Sequence, residues 1–396
     1  MKRIIIVGAG AAGLAAAVTL KRENPRFAVT VLERADKAGK KILAAGNGRC
    51  NLTNVNAAPE FYNAPDFLKG FFKTYDYEYI KRFYNGLGLL ICPRDAEGRV
   101  YPTSNTAASV MNVYAAAVKK YGVEIVYGAE IAGLRHGDGV HAPSPTAHSG
   151  YIVKTADGKE YDCDCVIWAA GSPAGILTYE RFPSAEGRPA SPLAECQGRG
   201  GFVKAIPFRP SLCPLPGDKR QLKYLENIRV KCRVSGLGRA ENGEVQFRKD
   251  SLSGIVIFNF AARLARQGLD ETVLSLDLFP DIELDKLSKF IHEHNGNLAG
   301  VCAGGIARNI TERGGNIPDL LKNFQFKVFA NRDFKEAQSA AGGVDLSEVD
   351  NLTFESKKHK GLYIVGEALD IDGECGGFNL HFAAASGIAS ALHIRG

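Results

Sequence analysis

Regularly spaced cysteines are missing from this sequence. None of its nine cysteines belongs to a Cys-x-x-Cys pair, their number is odd and their spacing is irregular. This pattern argues against a secreted disulfide framework, a zinc ribbon and a dithiol redox centre. The closest pair, Cys163 and Cys165, alternates within a predicted strand, where packing or exposure is enough to explain it. The sequence therefore predicts a protein of the reducing cytoplasm.

Concentrated charge and long apolar runs are also missing. Lys and Arg number 49 and Asp and Glu number 43, so the net charge is only +6. The one tight basic run, residues 357–360, lies beside Gly361 and is typical of a solvated turn rather than a nucleic-acid surface. No stretch is long and apolar enough to span a bilayer. We therefore expect neither a nucleic-acid partner nor a membrane.

Catalytic signatures that depend on side chains are missing as well. No Ser/His/Asp arrangement and no paired-carboxylate motif is recognisable, and the eight histidines show no metal-ligand spacing. We therefore predict no metal site. The composition is that of an ordinary soluble globular protein, with 45% hydrophobic and 23% charged residues. Its 396 residues are enough for two or three domains.

The N-terminal glycines carry the first positive signal. Gly8, Gly10 and Gly13 follow a predicted strand and open a predicted helix. In a dinucleotide site the first glycine makes the tight turn, the second lets the backbone reach a pyrophosphate and the third lets the helix pack on the strand. Glu33 ends the next predicted strand, where it would accept a hydrogen bond from an adenosine ribose hydroxyl. The spacing predicts a dinucleotide whose phosphates lie at the helix N-terminus.

A secretory signal peptide is the alternative interpretation of this N-terminus, because basic, apolar and small residues follow one another there. A signal peptide requires neither the glycine spacing nor the acidic residue that ends the second apolar run. We therefore predict a strand at Arg3–Val7, a helix at about Ala11–Glu23 and a second strand at Ala28–Leu32.

Two features favour FAD over NAD as the dinucleotide. Only one glycine fingerprint is present, since residues 236–241 lack the third glycine. A second glycine-rich region, residues 366–379, precedes an alanine-rich final helix and can contact the far end of a long cofactor. Residues 37–54 are small and polar enough to wrap its phosphates and ribityl chain, although a flexible surface loop is the alternative.

The middle of the chain changes in composition near residue 190. Before that point, a hairpin turn at Asp157-Gly158 belongs to a predicted three-stranded β-meander that ends on Cys165–Ala169. After it, proline-rich segments lead into short β-like runs, one of them at 255–265, and then into a helical stretch. The predicted domains are a first domain in two segments, 1–192 and 328–396, and an inserted domain, 193–327, with a β part at about 193–270 and a helical part at about 271–327.

Several segments of the sequence resemble a known family. They are the N-terminal fingerprint, "ILAAGNGRCNLTN", "GRVYPTS" and a long segment that runs from "AGGVDLSEVDNLTFESK" to "GECGGFNLHFAAASG". Together they are similar to the HI0933-like flavoproteins, FAD-binding oxidoreductases whose members include aminoacetone oxidases and bile-acid 3-dehydro-Δ4,6-reductases. The resemblance covers nearly the whole chain. It implies an α/β fold with a two-segment Rossmann-type FAD-binding domain that includes the β-meander, plus an inserted β-barrel and helical domain.

The resemblance also implies which residues hold FAD. The ADP half would be held by Gly8, Gly10, Ala12, Gly13, Glu33 and Arg34. The phosphates and the ribityl chain would be lined by Lys41, Gly48, Arg49 and Cys50, and adenine would meet the backbone of Ile131 in the middle meander strand. The second turn over the dinucleotide would be formed by Ala170 and Gly171. The ribityl chain and the flavin would be met by Gly366, Glu367, Gly377, Phe378 and Asn379.

Two departures from the family pattern bear on the site. Ala169-Ala170-Gly171-Ser172 stands where the family usually has Ala-Thr-Gly-Gly, and His381-Phe382 stands where it often has Gln-Trp. His381 is the titratable residue nearest the expected flavin edge, so we predict it as the catalytic proton donor or acceptor. Packing or capping is the alternative role for this histidine. Because the second departure changes residues at the expected flavin face, we do not expect the substrate of a relative to carry over directly to this chain.

Three functions stay open from the sequence. The first is a reductase in which transiently bound NAD(P)H reduces FAD, and hydride passes from flavin N5 to an activated C=C bond of an enone-like substrate. The second is an oxidase that takes hydride from a small amine such as aminoacetone and passes electrons to O2. The third is a flavin-containing protein that binds RNA or a partner, which the modest net charge of +6 disfavours. We predict the first, a cytoplasmic FAD-dependent oxidoreductase that acts on a small molecule.

Overall fold

The computed structural model describes residues 1–136, 150–172 and 203–395. Contacts within the described chain separate two compact units, Met1–Phe208 with Gly342–Gly396, and Arg209–Ala341. The predicted boundary between 192 and 193 lies outside the described residues. The chain leaves the first unit within one strand, Ala205–Ser211, and returns to it within another, Ser339–Val344.

The described secondary structure consists of strands and α-helices joined by turns and short 3-10 helices. The strands are β1 Arg3–Val7, β2 Ala28–Glu33, β3 Thr53–Asn54, β4 Ile91–Pro93, β5 Arg99–Pro102, β6 Glu124–Tyr127, β7 Ile131–His136, β8 Tyr151–Thr155, β9 Glu160–Cys163, β10 Cys165–Trp168, β11 Ala205–Ser211, β12 Leu215–Pro216, β13 Arg229–Gly236, β14 Arg239–Phe247, β15 Ser251–Ser253, β16 Glu271–Asp277, β17 Phe324–Phe329, β18 Ser339–Val344 and β19 Leu362–Ile364. The helices are α1 Ala11–Glu23, α2 Lys40–Ala44, α3 Pro65–Leu68, α4 Tyr77–Gly86, α5 Ala107–Tyr121, α6 Ile255–Arg266, α7 Leu284–Glu293, α8 Gly304–Arg313, α9 Ile317–Lys322 and α10 Phe378–His393.

A parallel sheet forms the centre of the first unit. Its strand order is β19-β10-β1-β2-β6, and each neighbouring pair runs parallel. In β1, Ile4 lies opposite Val29 of β2 and Cys165 of β10. The continuous apolar run of β1 is explained by this central place, because a parallel strand is covered on both faces. The predicted strand Arg3–Val7 and helix Ala11–Glu23 are confirmed, and so is a Rossmann-like parallel sheet.

Two helices with many small residues pack together beside this sheet. In α1, a Cβ atom at Gly13 would lie 1.9 Å from the carbonyl oxygen of Gly8, so only glycine lets the helix approach the turn after β1. In α10, Gly387 lies against the backbone of Ala12. The alanine-rich sequences of both helices therefore reflect close helix packing rather than exposure.

A three-stranded antiparallel sheet, in the order β7-β8-β9, is formed by the part of the chain between β6 and β10. Gly158, with φ of 87°, makes the turn between β8 and β9. Two details of the predicted meander are wrong. Cys165–Trp168 belongs to the parallel sheet as β10, because its buried side chains need cover on both faces. Ile131 begins β7, which is an edge strand rather than the middle one.

The second unit contains a six-stranded sheet, in the order β12-β15-β14-β13-β16-β17, in which each neighbouring pair runs antiparallel. The prediction of a β-like run at 255–265 is wrong, since these residues lie in α6. Ile257, Phe260 and Leu264 recur at helical spacing and are buried, so burial of one helix face outweighs the β-branched residues at its start. None of the described helices is long and apolar enough to cross a bilayer.

Candidate functional site

The carboxyl ends of the five parallel strands meet at one edge of the first sheet, and most predicted cofactor residues lie there. Gly8 follows β1, Glu33 ends β2, Ala170 follows β10 and Gly366 follows β19. Ile131 lies just after β6. The order of the sheet places β2 on one side of β1 and β10 on the other, and ligands of open α/β sheets bind at such a switch point.

The glycine turn after β1 leaves room in front of α1. Gly8 has φ of 101°, and a Cβ atom there would lie 2.6 Å from the carbonyl oxygen of Ala169, which follows β10. Gly10 precedes the first residue of α1, and a Cβ atom there would meet nothing within 4 Å. The backbone at Gly10 is therefore open at a helix N-terminus, as a bound pyrophosphate requires.

Glu33 is fixed at the end of β2 by the backbone. Its Oε2 accepts a hydrogen bond from the Ala9 amide at 2.7 Å, and its Oε1 accepts one from the Ala35 amide at 2.8 Å. A carboxylate offers about four lone-pair sites, so acceptor capacity remains for a ribose hydroxyl. The Ala129 amide donates to the Glu33 carbonyl at 2.9 Å, which holds the start of the Ile131 segment beside this carboxylate. Arg34 is exposed next to it.

A polar cluster joins three segments at the same edge. The Lys41 ammonium donates to the Glu367 carboxylate and lies 3.4 Å from the Ser172 hydroxyl. A Cβ atom at Gly171 would lie 3.6 Å from Glu367 Oε2. The residues after β10, the residues after β19 and helix α2 thus meet at this cluster, and the predicted contacts Lys41, Gly171 and Glu367 lie together.

The loop after α2 offers backbone rather than reactive side chains. Gly48 is exposed with φ of 81°, and a Cβ atom there would meet nothing within 4 Å. The Arg49 guanidinium is exposed and lies 5.1 Å from the centre of the Tyr101 ring. Cys50 is completely buried, and this burial raises the pKa of its thiol to about 12. The thiol therefore stays protonated and is not a nucleophile.

The Gly376–Gly377 turn at the start of α10 packs against the segment 51–54. Gly377 has φ of 97°, and a Cβ atom there would lie 2.5 Å from the Thr53 carbonyl oxygen and 2.7 Å from Asn51 Oδ1. Asn54 Nδ2 donates to the Gly376 carbonyl at 3.0 Å. Only glycine at position 377 permits this approach. No side chain caps α10, so its first turn presents backbone N–H groups.

The side chains of two predicted flavin contacts are engaged within the protein. Asn379 Oδ1 accepts a hydrogen bond from the Gly373 amide, and Asn379 Nδ2 donates one to the Gly373 carbonyl, each at 2.9 Å. The Phe378 ring stacks on Phe61 at 4.5 Å between ring centres, and the Phe378 carbonyl accepts a hydrogen bond from Tyr62 Oη at 2.8 Å. The side chains of both residues are therefore engaged by other protein groups.

The geometry of His381 gives no support to its predicted role in proton transfer. The imidazole has an exposed fraction of 0% and stacks on Phe72. Its Nδ1 lies 2.7 Å from Thr53 Oγ1, and its Nε2 lies 3.0 Å from the Tyr75 carbonyl oxygen. Burial lowers its pKa to about 4. Both nitrogens are therefore occupied by protein groups, and neither is open to a substrate.

Asn51 lies against the Gly376–Gly377 turn and was not among the residues predicted from the sequence. Its Oδ1 is one of the buried side-chain atoms of the described chain that lack a hydrogen-bond partner. A buried acceptor without a partner costs about 1–3 kcal/mol, and a bound ligand or water that donated to it would recover this cost. Asn51 follows directly after Cys50 in the segment that resembles the family. The position of Asn51 beside Cys50 was a signal that could have identified it. The burial of its amide oxygen, however, cannot be predicted from a sequence.

Comparison with known protein families identifies one that matches this chain. Residues 2–185 and 193–393 match the family described as "HI0933-like protein Rossmann domain". A 3-dehydro-bile acid delta(4,6)-reductase of Clostridium scindens is 30% identical over an alignment that covers 98% of this chain and 97% of that protein. A ribosomal RNA dihydrouridine synthase of Haemophilus influenzae is 24% identical over 98% of each chain. The crystal structure of a 3-ketosteroid delta1-dehydrogenase of Sterolibacterium denitrificans superposes with a TM-score of 0.48 at 13% identity, covering 99% of both chains.

Proposed function

The chain belongs to the HI0933-like family of FAD-dependent oxidoreductases, and from this premise we propose that it reduces an activated C=C bond of an enone-like substrate with hydride from NAD(P)H. One observation carries the proposal. Two relatives that match the chain over nearly its full length both have names that describe saturation of a C=C bond. In a Δ4,6-3-ketone and in a uracil ring alike, that double bond is conjugated with a carbonyl group. This shared chemistry favours a reductase over an amine oxidase.

The residues at the sheet edge fit an FAD. The open backbone at Gly10, the fixed Glu33 carboxylate and the uncapped first turn of α10 are the features that such a cofactor needs. The unpartnered Asn51 Oδ1 adds an acceptor for a hydroxyl or N–H donor. When bound, FAD supplies hydride transfer at its flavin ring.

The protein groups would act on this cofactor by position and charge. We propose that Gly10 and α1 hold the pyrophosphate and that Glu33 holds the adenosine ribose. Lys41 and Glu367, which already meet at this edge, would face the phosphates and the ribityl chain. The first turn of α10 would turn its N–H groups to the flavin and favour negative charge there. The same site would include three other predicted contacts around the start of α1, namely Ala12, Gly13 and Gly366.

The domain layout belongs to the same proposal. We propose that the unit of Met1–Phe208 and Gly342–Gly396 is the FAD-binding domain in two segments and that Arg209–Ala341 is the inserted domain. Support comes from the separate cores of the two units and from the parallel sheet, which takes β19 from the second segment. We also propose a cytoplasmic location, since none of the eight described cysteines forms a disulfide.

An anaerobic reduction experiment tests the function. The purified holoprotein is mixed separately with NADH, NADPH and aminoacetone, and the visible flavin band is followed. We expect fast bleaching by one nicotinamide and none by the amine. The bleached protein should then regain its colour when a 3-oxo-4,6-diene bile acid is added, with loss of the substrate's ultraviolet band. Bleaching by aminoacetone alone would overturn the reductase and make the protein an amine oxidase.

Reduction of uridine in ribosomal RNA is the second candidate, and the dihydrouridine synthase relative favours it. The same bleached protein is mixed with a uridine-containing ribosomal RNA fragment, with an unrelated RNA as the control. Recolouring by the fragment, together with retention that weakens as salt rises, would replace the small-molecule substrate with RNA. Recolouring by the bile acid alone would support the first candidate.

A further inference from the structure

His381 connects three separate segments of the first unit. It lies in the first turns of α10, and its ring is parallel to Phe72 within 10° at 5.4 Å between ring centres. Its two nitrogens reach β3 at Thr53 and the Tyr75 backbone just before α4. A histidine that is enclosed in this way affects the site through the protein groups that its ring holds in place.

The hydrogen-bond partners determine the tautomer of this ring. The Tyr75 carbonyl oxygen can only accept, so His381 Nε2 carries the proton and donates to it at 3.0 Å. In the neutral ring, Nδ1 then has only a lone pair and accepts from the Thr53 hydroxyl at 2.7 Å. The direction of the Thr53 hydroxyl is therefore fixed by the imidazole.

Thr53 belongs to the segment 51–54, against which the Gly376–Gly377 turn packs. Its carbonyl oxygen is the atom closest to the position of a Cβ at Gly377, at 2.5 Å, and Asn51 Oδ1 is the next, at 2.7 Å. Asn54, the following residue, donates to the Gly376 carbonyl. A shift of Thr53 would therefore move the unpartnered Asn51 oxygen relative to the first turn of α10.

We propose that His381 is a positioning residue that holds residues 51–54 against the Gly376–Gly377 turn and so sets the geometry of the cofactor edge. The inference rests on the proposed function, because it needs FAD at the start of α10. In this role His381 makes two hydrogen bonds and transfers no proton. A residue that does not titrate can therefore perform the same role.

The variant His381→Gln separates the two roles. A glutamine amide has an N–H donor for the Tyr75 carbonyl and a carbonyl acceptor for the Thr53 hydroxyl, but it does not titrate. We expect His381→Gln to keep the FAD dissociation constant within about 3-fold, the flavin midpoint potential and the pH profile of turnover. His381→Leu offers neither bond and should weaken FAD binding by at least about 10-fold, a loss of about 1.4 kcal/mol.

Thr53→Val provides a second route to the same test if His381→Leu does not fold, as judged by circular dichroism. It removes the hydroxyl and leaves the histidine in place, and Thr53→Ser, which retains the hydroxyl, is its matched control. We expect Thr53→Val to weaken FAD binding in the direction of His381→Leu, and Thr53→Ser to bind FAD like the wild type. FAD binding is measured by flavin fluorescence without substrate, so a wild type that binds no FAD contradicts the proposed function itself.

Two results would overturn the positioning role while leaving the proposed function intact. One is wild-type FAD affinity and midpoint potential in folded His381→Leu or in Thr53→Val. The other is a His381→Gln variant that binds FAD normally but loses turnover by about 100-fold with a changed pH profile, because this is the signature of a proton donor.

Discussion

Gly387 in α10 lies so close to Ala12 in α1 that a Cβ atom at position 387 would stand 2.2 Å from the Ala12 carbonyl oxygen. Ala12 is also the neighbour of Gly366, where a Cβ atom would lie 3.1 Å from the Ala12 Cβ. The start of α1 is thus enclosed by α10 on one side and by the turn after β19 on another. The segments expected to hold the two ends of the cofactor are therefore packed directly on each other.

Replacement of Gly387 by alanine tests this packing. Because the clash is with backbone, the two helices must separate, and we expect Gly387→Ala to lower the free energy of unfolding by about 1–3 kcal/mol. The measurement is urea denaturation followed by circular dichroism. Gly86→Ala is the control, since Gly86 ends α4 and a Cβ atom there would meet nothing within 4 Å. Equal stability of the two variants would contradict the close approach.

Gly10→Ala separates folding from cofactor binding. Gly10 has φ of −87°, which alanine adopts without strain, and its Cβ would meet no protein atom. The apoprotein should therefore unfold within about 1 kcal/mol of the wild type. FAD affinity should fall by at least about 10-fold, because the methyl group would enter the space where the pyrophosphate approaches the helix. Titration of the apoprotein with FAD checks this, and unchanged affinity would place the phosphates elsewhere.

Asn51→Ala should affect the apoprotein and the holoprotein in opposite directions. The substitution removes a buried oxygen that has no partner in the described chain, so the apoprotein should be as stable as the wild type or about 1 kcal/mol more stable. If the oxygen accepts from FAD, the stabilisation that added FAD gives should be smaller in the variant. Thermal unfolding with and without FAD measures both effects. An equal shift on FAD addition would show that Asn51 is not a cofactor ligand.

The stability of the protein should depend on pH through His381. Burial lowers the pKa of this histidine to about 4, below its usual value of 6.5, so the unfolded chain takes up the proton first as the pH falls. Its contribution is therefore complete above about pH 6.5 and is lost toward pH 4. We expect wild type to lose about 3 kcal/mol more than His381→Gln between pH 8 and pH 4. Parallel urea denaturation curves for the two proteins check this difference.

The sequence predicts the part of the fold that follows local rules. The glycines at 8, 10 and 13 have steric demands that act over a few residues, and the strand and helix around them were predicted with their observed bounds. Helix α6 shows the limit, because "IVIF" at its start favours a strand by local propensity alone. The helical spacing of Ile257, Phe260 and Leu264 was present in the sequence, but its meaning depends on the apolar surface that covers them.

The candidate site also has a part that local rules predict and a part that depends on tertiary packing. The glycine turns and Glu33 could be predicted because each follows a strand whose carboxyl end faces the ligand edge. The environment of His381 could not, since its partners Thr53 and Tyr75 lie 328 and 306 residues away in the chain. Proximity to a motif suggested a reactive histidine, whereas tertiary packing gives it an enclosed place with both nitrogens bonded.

The packing of α10 on α1 has a consequence for synthesis on the ribosome. Before the chain beyond Gly342 has emerged, β10 lacks its outer neighbour β19 and Ala12 lacks the helix that covers it. The core described for the unit Arg209–Ala341 consists of residues of that unit, so we expect the unit to fold while translation continues. We therefore expect a nascent chain in which the unit Arg209–Ala341 is folded while the parallel sheet is incomplete, and in which the glycine turn after β1 binds a ligand only once α10 has been made.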